Sequence, residues 1–145
     1  MIYCNYFKLF CNIRINRIMK RWDEFPDDAV MVGVFDAEVS DLSKRMAKHK
    51  PKFTIVADES YETFLENGVS KSVAGLMLAP LRAPLTTLEA MLRGYVPMTM
   101  SMSKLSTMPV DVLIDEEGKV AEAHYCRDTV DHLPIDRLVS FAKGN

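Results

Sequence analysis

Hydrophobic and polar positions fall into two rhythms along this chain, one of period two and one of three to four. Residues 2–7, IYCNYF, form a short aromatic, β-prone run that predicts a strand. From Cys11 to Phe25 the apolar residues Ile15, Ile18, Met19, Trp22 and Phe25 recur at spacings of three and four. That is the inward stripe of an amphipathic helix, with Arg14, Arg17 and Arg21 on its other face and Pro26, Asp27 and Asp28 ending it. AVMVGVF, residues 29–35, is apolar throughout and predicts a parallel strand covered on both faces. Val39, Leu42 and Met46 mark a second helix, closed by Lys50-Pro51, and FTIVAD, residues 53–58, predicts a third strand. A short helix follows, with Tyr61, Phe64 and Leu65 inward and Gly68 as its C-terminal cap.

The rhythm breaks between Ser70 and Thr107. Gly75, Pro80, Pro84 and Gly94 punctuate the stretch, and Met77, Met91, Met98, Met100, Met102 and Met108 crowd it. A helix over residues 86–92 is expected, with the remainder irregular. An insertion of this length is either a lid or a packed appendage, and its methionines suit either core filling or an adaptable apolar surface. Order returns at PVDVLIDEEGKVAEAHYC, which predicts strands over residues 110–114 and 120–125 around a turn at 115–119, with Gly118 supplying positive φ. Pro134 then opens a last helix with Ile135, Leu138, Val139 and Ala142 inward. The predicted order is βαβαβα, an insertion over about residues 70–107, then ββα, within one domain spanning residues 1–145. This is an α/β architecture whose parallel strands are joined by right-handed crossovers.

At 145 residues the chain is long enough to bury a sizeable core without metal or disulfide staples. Apolar residues are 48% and charged residues 26%, and the net charge is -2, which argues against a general nucleic-acid footprint. The imbalance is local: residues 1–22 carry five basic side chains and no acidic one. A secretory signal does not fit, because Lys8 interrupts the apolar stretch and the charges follow it; a mitochondrial presequence stays open. No run reaches the ~18 apolar residues that span a bilayer. Three widely spaced cysteines do not make a disulfide framework, and the histidines at 49, 124 and 132 have no metal-ligand spacing, so no metal is expected. The chain reads as cytoplasmic, with reduced thiols.

Two local features then narrow the fold. Cys11 falls at the start of the first helix, and Thr107-Met108-Pro109 immediately precedes the β-hairpin. With FCNIRINRI, FTIVADES, MPVDVLIDEEGKV and AHYCRDTVDHLP in this order, the chain resembles the redoxin or peroxiredoxin-like group of the alkyl hydroperoxide reductase and thiol-specific antioxidant superfamily. The resemblance implies a thioredoxin-like fold, a central mixed sheet of about five strands, and a cis-proline at Pro109 beside the active cysteine. Thr107 and Met108 would shape the site and contact substrate. Phe10, Cys11 and Asn12 match the end of the group's Cys-Pro-x-Cys-Asn motif, whereas Lys8 stands at its first cysteine and Leu9 at its proline. The group commonly has a hairpin before the central strand, and this sequence starts almost at that strand, as in a truncated version.

The implied chemistry is thiol-dependent reduction of a small peroxide or a disulfide through Cys11, with an external thiol as reductant and no bound cofactor. The helix N-terminus would favour the thiolate, with Lys8 and Arg14 adding positive potential. The alternative is that Cys11 is the old resolving position, turned inward, in a redoxin-derived binding or scaffold domain. Cys126 ends the second hairpin strand; a resolving role is conceivable, but nothing in the spacing brings it to Cys11. His124 and His132 read as a polar surface loop, with Asp131 helping to cap the last helix. The stripe of Arg14, Arg17 and Arg21 reads as a solvated face or as a site for an acidic partner or membrane surface. Self-association into a homodimer is in keeping with the resemblance.

Overall fold

The computed structural model describes residues 2–4, 9–93 and 106–144, and they form a mixed α/β fold. In chain order the elements are β1 (Ile2–Cys4), α1 (Leu9–Lys20), a 3₁₀ turn (Trp22–Glu24), β2 (Val32–Phe35), α2 (Val39–His49), β3 (Thr54–Ala57) and α3 (Glu62–Glu66). Then come α4 (Val73–Arg82), α5 (Pro84–Leu92), β4 (Val110–Ile114), β5 (Val120–Tyr125) and α6 (Ile135–Ala142). The strands pair in the order β3-β2-β1-β4-β5. β1, β2 and β3 run parallel, with Tyr3 opposite Val34 and Gly33 opposite Ile55. β4 turns antiparallel to both β1 and β5, and a register shift between Leu113 and Ile114 breaks the hairpin's regularity.

The hydrophobic stripe of α1 explains its seat. Cys11, Ile15 and Ile18 face a core shared with Phe25, Phe35, Leu42, Met46, Leu113 and, from α6, Leu138 and Val139. Trp22 stacks on both Phe25 and Phe53, which seals the end of that core. Ile13, on the other side of α1, is buried as well, because α5 packs across that side. The basic face is therefore not simply solvated. Arg17 donates to Glu89 at 3.0 Å, and Arg21 pairs with Glu24 and Asp136 at 2.5 and 2.6 Å. A smaller cluster of Val34, Phe64, Val69 and Val110 lies apart from the main core.

The insertion is more ordered than its punctuation predicts. α4 forms where an irregular segment was expected: Ser72 Oγ accepts the Gly75 N–H at 3.0 Å and caps the helix start. Pro80 sits inside α4, near its end, and Pro84 occupies the first turn of α5 after a break at Ala83. Met77 and Met91 are exposed while Met108 is buried, so of these three only Met108 fills the core. The expectations placed on Met98, Met100 and Met102 lie outside the described residues. Gly68 ends α3 with φ 67°, and Gly118 turns the hairpin with φ 79°. No helix among the described residues is long and apolar enough to cross a membrane.

Candidate functional site

The site is built around a carboxylate on a buried strand. Asp111 sits on β4 between β1 and β5 and is 0% exposed. A charged group so placed must be paired. Leu133 N–H donates to Asp111 Oδ2 at 2.8 Å, and His132 Nδ1 lies 3.1 and 3.2 Å from the two carboxylate oxygens. Arg14, reaching over from α1, is 3.6 Å from Oδ2. Burial alone would raise the Asp111 pKa; the charge and hydrogen bond of His132, then Arg14 and the Leu133 N–H, overcome it and hold the carboxyl below its ordinary value.

The segment after β5 brings His132 to this place. Its start is fixed by the Cys126 N–H donating to Pro109 O at 3.0 Å. Asp131 Oδ2 then accepts the Arg127 N–H at 3.0 Å, and Asp128 Oδ1 accepts the Val130 N–H at 2.9 Å. Asp128 is itself buried and pairs with Arg82 of α4. The fold is thus clamped on both sides, and the His132 side chain is only 6% exposed.

Burial would push the His132 imidazole down. The Asp111 charge and hydrogen bond, reinforced by the thiols of Cys11 and Cys126, reverse that effect and hold its pKa well above the ordinary value. The Cys126 sulfur thus lies near an imidazole whose Nδ1 is anchored on a carboxylate and whose buried Nε2 makes no hydrogen bond. The Asp111 carboxylate, the Cys126 Sγ and a ring nitrogen of His132 lie within 4.8 Å of one another. Neither cysteine is in a disulfide. The Cys126 thiol is pushed up by burial and by the Asp111 and Asp131 charges, against the hydrogen bond and charge of His132.

Asp, Cys and His are all metal-ligand types. Here the carboxylate already receives Nδ1, the Leu133 N–H and Arg14, whose guanidinium repels a cation. The arrangement fits thiol chemistry better. It sets the Cys126 sulfur near an imidazole that is held on a carboxylate, while the buried His132 Nε2 makes no hydrogen bond.

The residues singled out in sequence fall as follows. Cys11 is the third residue of α1 and 0% exposed, so it is turned inward among Ile15, Ile18 and Phe25. Asn12 is buried beside it. Arg14 faces the site through Asp111. Lys8 lies outside the described residues. Thr107, Met108 and Pro109 are buried, but they act through the backbone: Thr107 bridges to Lys71, the Met108 N–H donates to Ser70 O, and Pro109 O receives Cys126. The cis-proline expectation is corrected. No cis peptide bond occurs among the described residues, so Met108–Pro109 is trans, the isomer an X–Pro bond favours by about 0.5–1 kcal/mol unless its surroundings reverse the preference. Two further readings are overturned. His132 is buried and ion-paired, not a surface residue, and Asp131 binds Arg127 rather than the start of α6, which has no side-chain cap.

His132 and Asp111 were missed as site residues. The signal for Asp111 was a lone acid inside an otherwise apolar strand, VDVLI. Nothing local marked His132. Comparison with protein-family models, curated proteins and solved structures gave no match.

Proposed function

We propose that the chain is a thiol-dependent oxidoreductase of the peroxiredoxin-like class on a thioredoxin-like fold. Cys11 acts as its nucleophile and Cys126 as the resolving thiol. The observation that carries this reading is the Cys126 sulfur within 4.8 Å of a ring nitrogen of His132, itself anchored by Asp111, with the Cys11 thiol helping to raise the pKa of the same ring. The parallel β1-β2-β3 half joined to the antiparallel β4-β5 hairpin also supports it.

In the proposed reaction the Cys11 thiolate attacks one oxygen of a small hydroperoxide. An S–O bond forms, the O–O bond breaks, and the leaving oxygen takes a proton from the His132 imidazolium. Sulfur loses two electrons and the peroxide gains them. The now neutral His132 takes the proton of the Cys126 thiol, whose pKa is raised. The thiolate attacks the sulfenic sulfur, an S–S bond forms, the S–O bond breaks and the leaving hydroxide departs as water with that proton. An external dithiol reduces that disulfide, or an external thiol reduces the sulfenic acid directly. The proposal includes a cytoplasmic setting, where such reductants are plentiful.

The full burial of Cys11 favours a second reading, a binding or scaffold domain that lost catalysis when Lys8 replaced the first cysteine. One assay separates the two. Peroxide and disulfide reduction with dithiothreitol is compared across wild type, Cys11→Ser, Cys126→Ser and Lys8→Cys. Wild-type turnover abolished by Cys11→Ser, with a Cys11–Cys126 disulfide trapped by mass spectrometry after a single peroxide addition, supports the oxidoreductase. Activity confined to Lys8→Cys supports the scaffold.

A further inference from the structure

A cleft of about 470 Å³ opens on the outer side of His132, where α1, the α4–α5 junction and the segment after β5 converge. Its lining contains Arg14, Arg17, Arg21, Arg82 and His132, with the hydroxyl residues Thr86 and Thr129. Among the described residues no Asp or Glu lines it, although every one of those guanidiniums is paired with a carboxylate. Arg14 is paired with Asp111, Arg17 with Glu89, Arg21 with Glu24 and Asp136, and Arg82 with Asp128. None of these partner carboxylates is among the residues that line the cavity.

We propose that this cleft binds a small organic phosphate, because four guanidiniums and a buried, unpartnered hydroxyl converge on one cavity lined by no carboxylate. The hydroxyl is that of Thr129. The residue is 0% exposed, it lines the cleft, and its Oγ1 has no hydrogen-bond partner. A buried polar atom left unsatisfied is unfavourable, and a ligand oxygen in the cleft would relieve it.

Three features select the ligand class. The cations are arginines, whose planar forks match the oxygens of a phosphate two at a time. They come from α1 with the residue that follows it and from α4, so donors approach from two helices; that suits a tetrahedral oxyanion, whereas a planar carboxylate is satisfied by one fork. The volume lies within the roughly 300–1,000 Å³ of small-molecule sites, so the phosphate has an organic remainder. Among the described residues no Phe, Tyr or Trp lines the cleft, which favours a compact remainder over a stacked nucleobase.

Neither cysteine lines the cleft, so the binding stands whether or not Cys11 is catalytic. The test is titration calorimetry at fixed ionic strength with glycerol 3-phosphate, inorganic phosphate, succinate and chloride as probes. The expected result is saturable binding of glycerol 3-phosphate, one per chain, unchanged in Cys11→Ser and Cys126→Ser. Thr129→Val should weaken it about fivefold, the worth of one hydrogen bond, and Arg17→Gln about tenfold. Thr129→Val gives up no hydrogen bond within the protein, and Arg17 lies at the surface, so melting temperatures near the wild type's should accompany both losses. Absence of saturable binding, equal affinity in both variants, or succinate or chloride binding as tightly as the ester overturns the proposal. Inorganic phosphate binding as tightly as the ester overturns the organic part of it.

Discussion

His132 Nδ1 faces both oxygens of Asp111, at 3.1 and 3.2 Å, across 21 residues of sequence. This contact ties β4 to the segment that leads into α6, and it sits between a guanidinium and two thiols. Removing the carboxylate would leave the Arg14 guanidinium buried without its counter-charge, and His132, whose raised pKa rests on that charge, would lose its proton. Asp111→Asn, close in size, should therefore destabilise the fold by about 3 kcal/mol or more, in the range for breaking one partner of a buried ion pair. Urea unfolding measures it. A loss under 1 kcal/mol would mean the pair is as weak as an exposed one.

The same pair fixes how stability depends on pH. The His132 pKa is raised in the folded state, so its contribution is complete below the ordinary imidazole value of about 6.5 and is lost as pH rises through the raised one. The Asp111 pKa is lowered, so its contribution is complete above about 3.9 and is lost as pH falls through the lowered one. Melting temperature should then pass through a broad maximum in weakly acidic solution and decline on the alkaline side. In His132→Gln the alkaline decline should flatten. A variant that declines in parallel with the wild type would assign that loss to other groups.

Cys126 should be a slow nucleophile. Burial raises its pKa and the nearby imidazolium pulls the other way, so less thiolate is present at neutral pH than for a free cysteine. Alkylation of Cys126 by iodoacetamide in the Cys11→Ser background should be slower than that of a free thiol at pH 8. It should slow further in Cys11→Ser/His132→Gln, where the cation is gone. Faster reaction in that double variant would show that His132 shields the sulfur rather than stabilising its anion.

The fold was largely legible because core-facing residues repeat at the period of their own element. Ile15 and Ile18 announce α1, and Leu138 and Val139 announce α6, without reference to the rest of the chain. The site was not legible in the same way. AHYCRDTVDHLP is polar enough to read as a surface loop, and only pairing with Asp111 makes burial of His132 tolerable. The approach of Cys126 to the same ring depends on the Cys126 N–H finding Pro109 O across the sheet edge. Long-range pairings of this kind leave no periodic trace. α4 failed for a different reason: Gly75 and Pro80 were weighed as breakers, and the Ser72 cap three residues before Gly75 was overlooked.

Gly75 has a packing role that predicts a specific failure. A Cβ built there would stand 2.7 Å from Arg127 O and 2.7 Å from Met108 Sδ. The methionine could swing aside, because its side chain is flexible. The carbonyl cannot, because the Cys126 and Arg127 N–H groups before it and the Val130 N–H after it are committed to Pro109 O, Asp131 and Asp128. Gly75→Ala should therefore push α4 off the segment carrying Arg127 and Met108, despite the better helix propensity of alanine. The expected loss is about 1–3 kcal/mol, typical of overpacking. Adding Met108→Ala relieves one clash and leaves the backbone one, so the double variant should recover little. Thermal unfolding of both reads the outcome. Full recovery in Gly75→Ala/Met108→Ala would show that the side chain alone sets the spacing, and that the start of α4 is free to shift against the segment after β5.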